Sequence, residues 1–205
     1  MGTFDADAMQ RLAFRTGDIL LFSGKSHASE SIKWVTLSGW SHVALVLRLP
    51  QHDFPCLWEA TTDTNIACLD SGQPRPGVQL VPLARRVQEY AGRVACRQLD
   101  VELDATRLEA LLALRRRLSG RGYESSTIEL MTAAYDGPLG EQAEDLRELF
   151  CSELVAEAYQ ALGLIRANGG DKASNEYVPA DFSERWERLP WTDGRLGAEI
   201  LLRQD

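Results

Sequence analysis

Two residues of this chain, Cys151 and His42, are of the types that can form a nucleophile and its base. Cys151 stands in the run LFCSELV, 149–155, which predicts that it occupies the first turn of a helix. A helix N-terminus favours the thiolate, the form that attacks a carbonyl carbon, and its first amide groups are available to hold an oxyanion. His42 opens the apolar run HVALV, 42–46, which predicts a strand.

A third residue, Glu59, is predicted to orient the imidazole of His42. It lies in the run LWEAT, 57–61, and an acid within an apolar strand needs a polar partner. The turn at 50–55 would join the two strands as a hairpin, so that both side chains meet on one face. Structural explanations remain open for each residue: Cys151 as a small core residue, His42 as a hydrogen-bonded strand end, and Glu59 as a solvent-facing acid.

Length and composition are those of one globular domain, which we expect to span 1–205 with its core at about 17–181. The 205 residues are 44% hydrophobic and 25% charged. A formal net charge of −8 argues against binding to nucleic acid or to anionic membrane. No window approaches the roughly 20 apolar residues of a membrane-spanning helix, and residues 1–12 lack the apolar segment of a signal peptide. A cytoplasmic protein is expected, while the oligomeric state is left open.

The cysteines and histidines do not predict a metal site. Cys56, Cys68, Cys96 and Cys151 are widely spaced without a CxxC pair, and the chain has 3 histidines. No metal ion and no other cofactor is therefore predicted.

The order of the predicted elements favours an α+β fold, with an antiparallel sheet packed against helices. Apolar runs predict strands at 17–23, 43–49, 56–61, 78–83, 93–99 and 198–202. Helical spacing and capping residues predict helices at 29–37, from Asp104 to before Gly120, at 125–134, and from near Cys151 to Gly163, with a short helix at 179–181.

Several motifs resemble, in their order, those of a known family. They are GDILLF at 17–22, SHVALV at 41–46, Glu59, Tyr123 and FCSELV at 150–155. Together they are similar to the permuted NlpC/P60 group, the YiiX/YaeF-like family, which is related to the lecithin retinol acyltransferases. Its members have a circularly permuted papain-like (NlpC/P60-type) fold, in which the histidine strand precedes the cysteine helix.

The resemblance implies a role for each matching residue. Cys151 would be the nucleophile, His42 the base and Glu59 the acidic orienting residue. Tyr123 would bind the substrate near its carbonyl group, although Glu124 stands where the family usually has aspartate.

The expected function is that of a cysteine hydrolase that acts through a thioester at Cys151. The partner would be a peptide, amide or lipid-like acyl substrate whose amide, isopeptide or ester bond is cleaved. Two alternatives remain open: an acyltransferase that acts on lipid, and a non-catalytic binding module that retains the fold.

Overall fold

The computed structural model describes residues 5–24, 39–119, 140–166 and 173–204. The predicted helices at 29–37 and 125–134 lie outside these residues. In chain order the elements are α1 (Ala6–Arg11), β1 (Ile19–Gly24), β2 (His42–Leu47), β3 (Cys56–Thr61), β4 (Gly77–Pro82), α2 (Leu83–Glu89), β5 (Gly92–Arg97), α3 (Ala105–Ser119), α4 (Gly140–Ala161), the 3₁₀ turns Ser174–Glu176 and Pro179–Phe182, and β6 (Ile200–Arg203). The predicted α+β class is confirmed.

The six strands form one antiparallel sheet in the order β4–β3–β2–β1–β5–β6. β2 pairs with β3 in a register that places Leu45 opposite Trp58, so the hairpin predicted from the turn at 50–55 is confirmed. β1, β2 and β3 are buried along almost their whole length. This explains why each appears in the sequence as a continuous apolar run.

Helices cover both faces of the sheet, and successive residues of a strand point to opposite faces. The face that packs against α3 and α4, here called the α4 face, includes Ile19, Leu21, Val43, Leu45, Trp58 and Ala60. The face that packs against α1 and α2, here called the α2 face, includes Leu20, Phe22, Ala44, Val46 and Leu57. The two apolar clusters are separate, so the face of a residue decides which groups it can meet.

The helix that carries Cys151 begins earlier than the sequence predicts. α4 starts at Gly140, so Cys151 lies about three turns inside it and does not occupy the first turn. The prediction was wrong because residues 140–149, GEQAEDLREL, form helix readily but are mainly polar, and the apolar stripe begins only after them. The predicted end is confirmed: Gly163 has a φ of 68°, and the amide of Leu164 donates to the carbonyl of Tyr159.

Other elements agree with the sequence except for two short helices. Asp104 caps α3 by accepting a hydrogen bond from the amide of Arg107, as predicted. The short helix predicted at 179–181 is the 3₁₀ turn Pro179–Phe182, and β6 lies at the edge of the sheet. α1 and α2 have six and seven residues and were not predicted, because so short a segment shows no helical period.

The segment that follows residue 181 is held against β5 by a buried cation, Arg97. Its guanidinium donates to the carbonyls of Phe182, Leu196 and Gly197 over 2.8, 2.9 and 2.7 Å. A carboxylate oxygen of Glu187 lies 2.8 Å from Nη1. These acceptors replace the water that the guanidinium loses on burial.

Candidate active site

The side chain of His42 lies on the α2 face, at the start of β2. Its Cα pairs with that of Phe22 in β1, and the two ring centroids are 5.3 Å apart. Nε2 is 2.8 Å from Oε2 of Glu59, and 13% of the His42 side chain is exposed. The prediction that His42 and Glu59 meet on one face is confirmed, while their roles in a reaction stay predictions.

Glu59 is a fully buried carboxylate held by three donors. Besides His42, Gln79 donates from Nε2 to Oε1 over 3.0 Å, and Nε of Arg86 lies 3.1 Å from the same oxygen. Burial alone would raise the pKa of Glu59, but the Arg86 charge and the hydrogen bonds outweigh it and lower the pKa to about 2. An ionised carboxylate only accepts hydrogen bonds, so Nε2 of His42 donates to Glu59, and Nδ1 is the ring nitrogen that this contact leaves available as an acceptor.

Arg86 of α2 completes this cluster. It is buried and forms ion pairs with both Glu59 and Asp63. Its guanidinium carbon lies 5.7 Å from the ring centroids of both Phe22 and Tyr90. Burial raises the pKa of Tyr90 to about 12, so this phenol is uncharged at neutral pH.

Sequence reasoning missed Gln79 and Arg86. Gln79 stands between apolar neighbours in the strand VQLV, which is the same signal that identified Glu59, so it could have been found. Arg86 could not, because it follows Arg85 in a short polar run and only the fold shows that Arg86 is buried while Arg85 is exposed.

Replacing Glu59 by glutamine should make folding stability less dependent on acidic pH. The pKa of Glu59 in the folded chain is below the ordinary 4.5, so its contribution is fully present above about pH 4.5 and is lost as the pH falls toward about 2. Urea unfolding between about pH 2 and pH 7 measures this dependence. Glu89→Gln is the control, because Glu89 forms an exposed pair with Arg85. Equal pH slopes for wild type and Glu59→Gln would contradict the expectation.

Cys151 lies on the other face of the sheet. It is fully buried in the apolar cluster of the α4 face, together with Val43 and Ala60. α4 packs on β2 and β3, the strands that carry His42 and Glu59, but those two side chains point to the α2 face. Among the described residues, the structure brings His42 and Glu59 together and does not bring Cys151 into their cluster.

The position of Cys151 within α4 also changes its expected chemistry. Inside a helix an amide N–H bonds to the carbonyl four residues earlier, so the amide of Cys151 is not one of the unsatisfied first-turn donors. The effect of the helix dipole falls off within the first turn. The predictions that this helix start activates the thiol and binds an oxyanion are therefore wrong.

The other three cysteines are free and buried. Burial raises the pKa of the Cys56 thiol to about 11 and also raises the pKa of Cys96. Burial would raise the pKa of Cys68 as well, but backbone hydrogen bonds, the first from the amide of Leu80 at 3.5 Å, outweigh it and lower the pKa. Cys68 is therefore the thiol against which any labelling of Cys151 must be controlled.

Tyr123, predicted to bind substrate, lies outside the described residues. In the part of the chain that the structure describes, no group of three or more His, Cys, Asp or Glu side chains is arranged to hold a metal ion. Among the same residues, no helix is both long and apolar enough to cross a bilayer.

Comparison with known proteins finds similar solved structures. No family model and no curated protein matches the sequence. Among solved structures, the chain is similar to the crystal structure of metalloprotein yiiX from Escherichia coli O157:H7, DUF1105. The identity is 20%, over 93% of this chain and 97% of that chain, and the TM-score is 0.48.

Proposed function

We propose that this chain is a cysteine-dependent hydrolase with a circularly permuted papain-like fold, in which Cys151 attacks the carbonyl carbon of an amide, isopeptide or ester. The observation that carries the proposal is the 2.8 Å contact between His42 and Glu59, in which a buried anion fixes the imidazole through Nε2 and leaves Nδ1 as a base. The order of the sequence motifs supports it, as does the packing of α4 on the two strands that carry this pair.

In the proposed reaction Nδ1 of His42 takes the proton of the Cys151 thiol while Sγ bonds to the carbonyl carbon. Collapse of the tetrahedral intermediate breaks the C–N or C–O bond, and the imidazolium returns the proton to the leaving amine or alcohol. Water, deprotonated by Nδ1, then cleaves the thioester, which releases a carboxylic acid and restores the thiol. Glu59 remains ionised and stabilises the imidazolium.

This reaction requires the Cys151 thiol to reach both Nδ1 of His42 and the substrate. Cys151 is fully buried on the α4 face, whereas the imidazole is on the α2 face. For proton transfer to occur, α4 must therefore move so that Cys151 reaches past the end of the sheet, at the start of β2, to the imidazole on the other face. The dependence of Cys151 labelling on His42 tests whether the two groups meet.

The substrate class is an acyl compound: a peptide amide, an isopeptide or a lipid-like ester. A hydrolase and an acyltransferase share the thioester and differ in whether water or another nucleophile accepts the acyl group. We propose that the reaction takes place in the cytoplasm, a reducing compartment in which free thiols such as those of the four described cysteines persist.

A second candidate function is a non-catalytic binding module. It is favoured by the burial of Cys151 on the face opposite His42, the arrangement expected of a cysteine that serves only as a core residue. In that case the cluster around Glu59 would hold β2, β3 and α2 together without taking part in chemistry.

Covalent labelling with p-nitrophenyl acetate, followed by intact mass spectrometry, separates the two functions. The experiment uses a Cys68→Ala background, because Cys68 is the competing low-pKa thiol. For a hydrolase we expect one acetyl group per chain, lost on Cys151→Ala and slowed by about 10²-fold or more on His42→Ala. Adding Cys56→Ala to this background should leave the extent and rate of labelling unchanged.

Two results would contradict the hydrolase. Labelling that persists in Cys151→Ala would show that the nucleophile is elsewhere. Labelling of Cys151 that is unchanged by His42→Ala would show a thiol that reacts without the imidazole, and would favour the binding module.

A further inference from the structure

We propose that Arg86 is a positioning residue that keeps His42 an uncharged base with its ring proton on Nε2, and that Asp63 opposes this effect. The importance of such a residue for catalysis rests on the proposed function. The charge state and tautomer of His42 can be measured without any reaction.

Arg86 lies between two carboxylates, those of Glu59 and Asp63. Its Nε lies 3.1 Å from Oε1 of Glu59, and its Nη1 bonds to a carboxylate oxygen of Asp63. Glu59 in turn accepts from Nε2 of His42 over 2.8 Å. Arg86 and His42 therefore share one fully buried carboxylate, while 28% of the Asp63 side chain is exposed.

The charges around the imidazole of His42 determine how readily the ring takes up a second proton. Among the described residues, the charged groups of this cluster are Glu59 on β3, Arg86 on α2 and Asp63 after β3; Tyr90, which directly follows α2, is uncharged at neutral pH. An imidazolium would be a second cation on the Glu59 carboxylate, and a like charge nearby disfavours the protonated ring. Arg86 already compensates the charge of Glu59, so a proton on the imidazole gains less from that carboxylate than it would without Arg86.

The positive charge of Arg86 is not sufficient for this role without the shape of its guanidinium. The flat guanidinium reaches Glu59 through Nε and Asp63 through Nη1 at the same time. A lysine ammonium is a point charge without this fork, so it would keep the cation but not both contacts. The pH midpoint of the His42 titration in Arg86→Lys should consequently lie between that of wild type and that of a variant with a neutral side chain at this position.

Nitrogen-15 NMR of histidine tests the proposal, in Cys151→Ala protein so that no reaction intervenes. The chain has 3 histidines, and His42→Gln identifies the signal. Near neutral pH we expect Nε2 of His42 to be protonated and Nδ1 unprotonated. In Arg86→Met the His42–Glu59 pair should take up a proton at a pH about one unit or more above the midpoint in wild type. In Asp63→Asn, which removes an anion and leaves Arg86, the midpoint should move down.

Arg85→Met is the matched control, because Arg85 is the neighbouring cation on α2 but pairs with Glu89 at the surface. Its His42 titration should equal that of wild type. If Arg86→Met does not fold, as judged by near-UV circular dichroism, Arg86→Lys and Asp63→Asn still give shifts of opposite sign. The proposal would be overturned if the folded Arg86 and Asp63 variants had the same His42 titration midpoint and the same tautomer as wild type. Shifted midpoints together with failed labelling of Cys151 would instead reject the hydrolase and leave the role of Arg86 standing.

Discussion

Replacing Cys151 by alanine should reduce kcat/KM for an activated ester by about 10³-fold or more, to the rate without enzyme. The thiol is the only group in the proposed reaction that bonds to substrate, so nothing compensates for its loss. His42→Ala should cost about 10²- to 10⁴-fold, because the thiol then has no base. Steady-state hydrolysis of p-nitrophenyl acetate, measured for the three proteins at equal concentration, gives both values.

The control for Cys151→Ala is Cys56→Ala, since Cys56 is also fully buried in the apolar cluster of the α4 face. That variant loses similar core volume and should keep full activity. Equal losses in both variants would mean that packing is responsible and not the thiol. Full activity in Cys151→Ala would remove this residue from the reaction.

Gly92→Ala should lower the free energy of unfolding by about 3 kcal/mol. A Cβ at Gly92 would lie 2.2 Å from the carbonyl oxygen of Ser23 in the paired strand β1, and 3.0 Å from a ring carbon of Tyr90. The obstructing oxygen belongs to the backbone, so β1 and β5 must separate to admit a methyl group. Urea unfolding, monitored by tryptophan fluorescence, measures the loss.

Gly197→Ala is the matched control for Gly92→Ala. A Cβ there would lie 3.5 Å from the carbonyl oxygen of Gln98, which is an ordinary contact. We expect a change within about 0.5 kcal/mol. Similar losses at the two positions would show that the entropy of glycine, and not the close approach of β1, determines the effect.

The sheet could be predicted from the sequence because its strands are apolar runs bounded by turns. The hairpin of β2 and β3 followed from the short turn between them, and with it the contact of His42 and Glu59. The start of α4 could not be predicted in the same way, because the apolar stripe that contains Cys151 does not extend back into residues 140–149, where Arg147 and Glu148 occupy its positions.

The predicted meeting of Cys151 with His42 shows a second limit. Alternation along β2 places His42 and Val43 on opposite faces, and this much is readable from the sequence. Which of these faces receives α4 is not readable, because both are apolar and each is covered by helices. The contacts of Arg86 could not be predicted for a related reason, because the burial of Arg86 depends on how α2 packs on the sheet.

The hydrogen bonds of Arg97 have a consequence for the order of events during synthesis. β5 leaves the ribosome about a hundred residues before the carbonyl of Gly197 that accepts from Arg97. Until residues 182–197 emerge, water must hydrate the Arg97 guanidinium, so the part of the nascent sheet around Arg97 cannot exclude water. The domain therefore reaches its native state only after most of the chain has been translated.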